Sequence, residues 1–379
     1  MTPPRSRRSR PSEGESGRPG EVGSAGALAP DDRARLVEAV QTNCHIADAR
    51  SAADLSLCIY LLQMREFYRW EQGAAPLAPL PRDAVGSWLA AREALWADLE
   101  ERDFVPVPVA GGDFDPFDTT AIAAQLLPHG LAYGAGEVAP GRASFFVAEL
   151  ERVERRGEVD LWICGAELAR AVAAPPAALQ GATILLRRQS LRRWWCERYE
   201  AWTLKRQAGA FKAALAAHGF DEGAAAAELH RIADLDAETL VLHELGEFEA
   251  GRRLDPDWQA MRAALASRRA DVFVRAARDH CADCLVTLPA LLARGDGAAL
   301  HAWFANLEGV RELLFPRLWP AYAAWCDGDA GVALGTVVAQ GAAHWPQVCA
   351  RVLALHRERG AEAPAAIERW LVSGDCALI

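Results

Sequence analysis

A chain of 379 residues with 51% apolar side chains can bury two or three packed units, and no run reaches the roughly 18 apolar residues of a membrane-spanning helix. Net charge is -10, and beyond the first thirty residues, which hold five Arg and three Glu, it is -12, which argues against a general nucleic-acid-binding surface. Nine Cys without dense spacing do not form a secreted disulfide framework and point to reduced thiols in a cytoplasm.

Only Lys205 and Lys212 among the 41 basic residues are Lys, a skew that suggests GC-rich coding and a bacterial source. Met1 to Pro30, rich in Pro, Ser, Gly and Arg, is expected to be a disordered segment. Arg7-Arg8 is followed by no apolar stretch, so a twin-arginine export signal is not expected. Residues 31–141 read as a helical region with an irregular loop. Asp31 or Asp32 can cap a first helix to about Gln41, and the polar stretch from Thr42 to Ala52 is then expected to be a loop. Asp54 opens a second helix with Leu55, Leu57, Ile59, Leu61, Leu62, Phe67 and Trp70 on an apolar face, and Asp83 opens a third. Phe104 to Gly141 is broken by Pro and Gly and reads as irregular, with Asp113, Asp115 and Asp118 as turn and cap residues. Residues 142–189 form a small β-containing element: alternation on both sides of Arg156-Gly157 predicts a hairpin, Ala166 to Ala173 a short helix, and Thr183 to Leu186 a third strand. Residues 190–379 read as a C-terminal helical domain, with helices over Ser190–His218, Glu222–Ile232, Asp236–Arg252 and Pro256–Leu288, among others. The expected fold class is mainly α: a multi-helix, bundle-like architecture with one small inserted β element, α+β by a narrow margin. The final Cys376-Ala377-Leu378-Ile379 has the form of a prenylation box, with a loose tail as the simpler reading.

The sharpest chemical signal is His243-Glu244-Leu245-Gly246-Glu247 within a helical stretch, because side chains four apart share a face and can grip one ion. The zincin pattern is absent, since Glu247 stands where a second His would be. His280 and Asp283 lie in another apolar helix, and Glu66 and Glu197 in two more; acids and imidazoles in apolar faces are costly unless paired or metal-bound. Such a set, drawn from four helices, suits a di-iron or di-manganese centre with mixed oxygen and nitrogen ligands. The leading expectation is therefore a cytoplasmic non-haem metal-dependent oxidase or hydroxylase. It would bind a divalent metal, iron before manganese or zinc, through His243, Glu247, His280, Asp283, Glu66 and Glu197. Glu244 would serve as an acid–base group, and His45, Asp48 and Arg50 would line the substrate side. Substrate and oligomeric state are not readable, and no membrane partner is expected.

Two other readings use the same residues. Arg187, Arg188, Arg192, Arg193 and Arg198, interleaved with Trp194, Trp195 and Trp202, could make a metal-free helical adaptor that docks an anionic partner. Alternatively Glu244 beside His243 could be the general base of a metal-dependent hydrolase, for which spacing offers no third ligand. Cys281-Ala282-Asp283-Cys284 sits mid-helix and reads as a pair of buried thiols.

Asn43–Arg50 (Asn-Cys-His-Ile-Ala-Asp-Ala-Arg), Met64–Glu71 (Met-Arg-Glu-Phe-Tyr-Arg-Trp-Glu) and the His-Glu-Leu-Gly-Glu helix together resemble an uncharacterised proteobacterial family. The resemblance covers nearly everything after residue 30. The family has no assigned activity, so it supplies no catalytic residues.

Overall fold

The computed structural model describes residues 26–379 apart from 53–56, 110, 140, 255–256, 266, 375 and 378–379. Most of the expected disordered N-terminal segment, the start of the second helix at Asp54-Leu55, Pro256 and the last two residues of the prenylation-like box lie outside the described residues. The chain is mainly helical, with a five-stranded sheet near its middle.

Helix α1 (Pro30–Ser51) runs straight through the segment expected to be a loop. Leu36, Val40, Cys44 and Ala47 recur at helical spacing and are buried, but a stripe finished with Cys and Ala has too little apolar contrast to stand out. Asn43 fastens this helix by donating to the Val105 carbonyl at 2.8 Å and accepting from the Val105 amide at 2.7 Å. α2 (Leu57–Glu71) and α3 (Arg82–Leu99) follow. Only part of the expected apolar face of α2 is covered: Phe67 is buried, whereas Leu57, Ile59, Leu61 and Leu62 are exposed.

A short hairpin, β1 (Val107–Val109) with β2 (Gly112–Phe114), and helix α4 (Thr119–Leu126) occupy the stretch read as irregular. Asp118 caps α4, accepting from the Ala121 amide at 3.0 Å.

The main sheet contains β3 (Leu131–Ala139), β4 (Arg142–Arg156), β5 (Val159–Arg170), β6 (Ala177–Gln180) and β7 (Thr183–Arg187), in the order β3-β4-β5-β7-β6. All pairs are antiparallel except β5 with β7. After β5 the chain crosses to the sheet edge as β6 and returns as β7 between β6 and β5. The expected helix over Ala166–Ala173 is instead strand as far as Arg170 and irregular beyond it, because pairing such as Phe146 with Arg170 overrides the helical preference of its alanines. Gly134, opposite Phe146, is forced by close packing: a Cβ there would lie 2.3 Å from the Phe146 ring.

From α5 onward the chain is helical. α5 (Arg188–Thr203) and α6 (Ala210–Ala217) replace the single helix expected over Ser190–His218. α7 (Ala225–Arg253) is one helix where two were expected: Asp236, read as an N-cap, lies inside it with Leu229, Ile232 and Ala233 on a buried stripe. α8 (Asp257–Ala263) and α9 (Arg268–Ala282) come next, and α9 passes into a wide π-turn over Asp283–Thr287 before α10 (Leu288–Arg294). Pro289 accounts for the widening, since in a regular helix its ring would clash with the carbonyl four residues earlier. α11 (Gly297–Ala305), α12 (Val310–Leu314), α13 (Leu318–Cys326), α14 (Val332–Arg359) and α15 (Ala363–Val372) complete the bundle. Its apolar centre lies between α9 and α14, around Val274, Cys281, Phe315 and Trp345. Among the described residues no helix is long and apolar enough to cross a membrane.

Candidate metal centre

Gly246 sets the distance between α7 and the end of α9. A Cβ on it would stand 2.5 Å from the Ala282 carbonyl oxygen, so only glycine lets the two backbones approach this closely. One turn earlier on α7, His243 then reaches the π-turn, its Nδ1 2.9 Å from Asp283 Oδ1. The other oxygen of Asp283 accepts from Arg311, at the start of α12. Asp283 has no exposed surface. Burial would raise its carboxyl, but the charges of His243 and Arg311 outweigh that and hold it well below the usual carboxylate range. The same balance works in reverse on the imidazole. Burial pulls His243 down, yet the Asp283 charge and hydrogen bond, with Glu244 and Asp279 adding to them, raise it to about 10.

A ring nitrogen of His243, a carboxylate oxygen of Glu247 and one of Asp279 all lie within 4.8 Å of one another, and each side chain is half-buried. Among the described residues this is the one group of three such ligand atoms so close together. Glu247 Oε2 is ion-paired with Arg278 Nη2 at 2.7 Å, while Oε1 is buried without a hydrogen-bond partner. Burial raises the Glu247 carboxyl, with Arg278 and His243 opposing. Glu244 lines the same cleft; burial raises its carboxyl to about 7, against the pull of the His243 charge and a backbone hydrogen bond from Leu179. The cleft has a volume of about 620 Å³. β6 forms one wall through Ala177–Leu179, and Glu137 and Val138 near the end of β3 reach it as well. The two edge strands of the sheet thus meet the same cleft, which shows how strongly the sheet curls.

Sequence spacing alone does not single out Asp279 as the third member of this group; its signal is weak, an acid one turn before Asp283 on α9. Other expected ligands lie elsewhere. His280 is buried against Trp345, ring centroids 4.7 Å apart, with Nε2 2.7 Å from the Arg311 carbonyl, and burial lowers it to about 3. Asp283 touches His243 from behind and has both oxygens engaged. Glu66 pairs with Arg69, which also holds Glu200 at 2.9 Å, and Glu197 lies 3.3 Å from Arg193. Glu66 lines a separate cavity and is not gathered with His243. A dinuclear four-helix ligand set is therefore not assembled.

The residues expected on the substrate side do not line this cleft either. His45 lies 2.7 Å from Arg92 and is lowered to about 3 by burial and that charge. Asp48 accepts from the Val172 amide at 2.9 Å, tying α1 to the chain just after β5. Arg50 donates to the carbonyls of Glu100 and Arg102 and stacks over Phe104. All three fasten α1 to its surroundings. The Arg/Trp segment of α5 is largely internally paired: Arg187 with Glu167, Arg188 and Arg192 with Asp234, and Arg198 with Glu308. Cys281 and Cys284 are buried free thiols.

Fold and cleft together define a mainly helical protein carrying a carboxylate–imidazole cleft against the edge of a curled sheet. The chain belongs to the family of unknown function DUF6866: the family's N-terminal domain matches residues 35–187 and its C-terminal domain residues 192–373. No curated protein and no solved structure matches it.

Proposed function

We propose that the cleft between α7, α9 and β6 binds one divalent cation through His243, Glu247 and Asp279, and that the chain is a metal-dependent hydrolase with Glu244 as general acid–base. The observation that carries this reading is the close group of one ligand atom each from His243, Glu247 and Asp279, together with Glu247 Oε1, which is buried without a hydrogen-bond partner. Asp283 supports it: a carboxylate hydrogen-bonded to Nδ1 leaves Nε2 for an ion, orients the imidazole and fixes its tautomer. When bound, the cation would polarise a substrate oxygen and ease deprotonation of a water.

The chain's own groups would do the rest. His243 keeps its Nδ1 proton on Asp283 and gives up the proton on Nε2. Glu247 offers Oε1 while Arg278 holds Oε2. Glu244, with a carboxyl near 7, can take a proton from water and return it to a leaving group at neutral pH. One nitrogen with two carboxylates is a borderline-hard donor set that suits zinc, manganese or iron. An iron-dependent oxidase would have to work here with a single ion, since one such group of candidate ligand atoms is found among the described residues.

The test is elemental analysis of protein purified without chelator, beside the His243→Ala/Glu247→Ala double variant and Asp279→Asn. About one equivalent of zinc, manganese or iron, lost in the variants, with close to one proton released on reloading near neutral pH, is the expected result. A folded wild-type protein that holds none of these ions and takes up none in titration calorimetry overturns the proposal. Bound iron with oxygen consumption would replace the hydrolase by the oxidase.

A further inference from the structure

A second cavity, about 410 Å³ in volume, lies between α2, β5 and α5, away from the metal cleft. Five arginines line it: Arg69, Arg170, Arg188, Arg192 and Arg193, against the two acids Glu66 and Glu151. Charge lists alone mislead, because several of these arginines are satisfied. Arg188 and Arg192 both reach Asp234, and Arg188 also reaches Glu151.

The others are not fully used. Arg69 Nε and Arg170 Nε and Nη2 are three buried guanidinium nitrogens without a hydrogen-bond partner, on two residues that line this one cavity, whereas Arg193 Nε lies 3.3 Å from Glu197 and its Nη2 donates to the Ala174 carbonyl. Arg170 is the extreme case. It is 1% exposed, its nearest acid is Glu167 at 3.7 Å, and its guanidinium otherwise rests on the rings of Phe67 and Trp70. Burying a cation with idle donors is costly unless something arrives to fill them. Burial, with the like charge of Arg193 adding to it, lowers the Arg170 guanidinium to about 9. An anion between them would relieve that repulsion.

We infer that this cavity is a binding site for a small phosphorylated organic molecule, its phosphate held by Arg170, Arg193 and Arg69 and its body lying along Trp70 and Leu77. A phosphate suits the site better than a carboxylate. Guanidinium forks converge on it from three elements, and three terminal oxygens engage more donors than two can. Trp70, Pro76 and Leu77 supply an apolar wall for a planar or hydrocarbon body. The volume falls within the usual range of small-molecule pockets, about 300–1,000 Å³. This site is independent of the proposed metal centre: none of its residues ligates there.

Titration calorimetry of the full chain at low ionic strength with phenyl phosphate, inorganic phosphate and benzoate tests the inference. Phenyl phosphate should bind one to one, at least about tenfold more tightly than benzoate or inorganic phosphate. Arg193→Gln should weaken it by about tenfold or more with the fold intact. Arg170→Gln should do the same; if that variant fails to fold, Arg193→Gln and Arg69→Gln carry the result. His243→Ala should leave phenyl phosphate binding unchanged, which keeps this site distinct from the metal cleft. Absence of saturable binding at millimolar phenyl phosphate, binding untouched by Arg193→Gln and Arg69→Gln, or benzoate binding as tightly would overturn it.

Discussion

Replacing Asp48 by Asn should change how the stability of the protein depends on pH. Asp48 is 4% exposed and accepts one amide hydrogen bond, from Val172. Burial is the dominant influence on its carboxyl; the hydrogen bond and distant Arg charges oppose it, and the net result is a rise from 3.8 to about 7. Between those values the folded chain keeps a proton that the unfolded chain has released. Stability contributed by this group is therefore complete below the unfolded value and drains away as pH rises through the folded one. Going from about pH 5 to about pH 8, the two titrations differ by enough to remove about 2.5 kcal/mol from the wild-type protein. Asn mimics the protonated acid at every pH and retains an acceptor for Val172. Relative to Asp48→Asn, wild type should thus lose about 2.5 kcal/mol across that interval, read as the difference between urea-denaturation free energies at each pH. A constant difference, or one that favours wild type as pH rises, would refute the reasoning.

Gly246→Ala should destabilise the protein by about 1–3 kcal/mol in chemical denaturation, because its Cβ would collide with the Ala282 carbonyl. It should also separate His243 from Asp283, so the imidazole should titrate lower by NMR than in wild type; an unmoved titration would contradict the placement. Glu167→Ala should cost about 3–5 kcal/mol, since Arg170 and Arg187, 1% and 2% exposed, would both lose their acid partner. A loss below about 1 kcal/mol by denaturation would show that water reaches this pair.

Helices were the legible part of this sequence, and the reason is their long apolar stripes. The hairpin turn at Arg156-Gly157 was also readable, because Val159, Leu161 and Ile163 alternate after it and Phe145, Val147, Leu150 and Val153 do so roughly before it. Other segments were hidden by specific causes. The end of α1 carries Asn, His and Asp inward, so its polarity imitates a loop. The end of β5 is rich in Ala and depends on β4 for its form. Within the candidate site, His243 and Glu247 share a face by spacing, and that much follows from the chain alone. Asp279 could not be chosen over His280 without knowing how α9 is rotated against α7. Glu66 and Glu197 looked equivalent to Glu247 because their partners, Arg69 and Arg193, come from contacts that spacing does not encode.

The widened turn at Asp283–Thr287 has a consequence for timing. Its shape is imposed by Pro289 and by packing against Gly246, so it is in place once the helices have docked. Asp283, itself held by Arg311, then fixes the imidazole of His243. The entropy of freezing that side chain is lost during folding and not during binding. A ligand bound as proposed in the cleft would meet a His243 already held in place, so its affinity would not be reduced by rearrangement of that side chain.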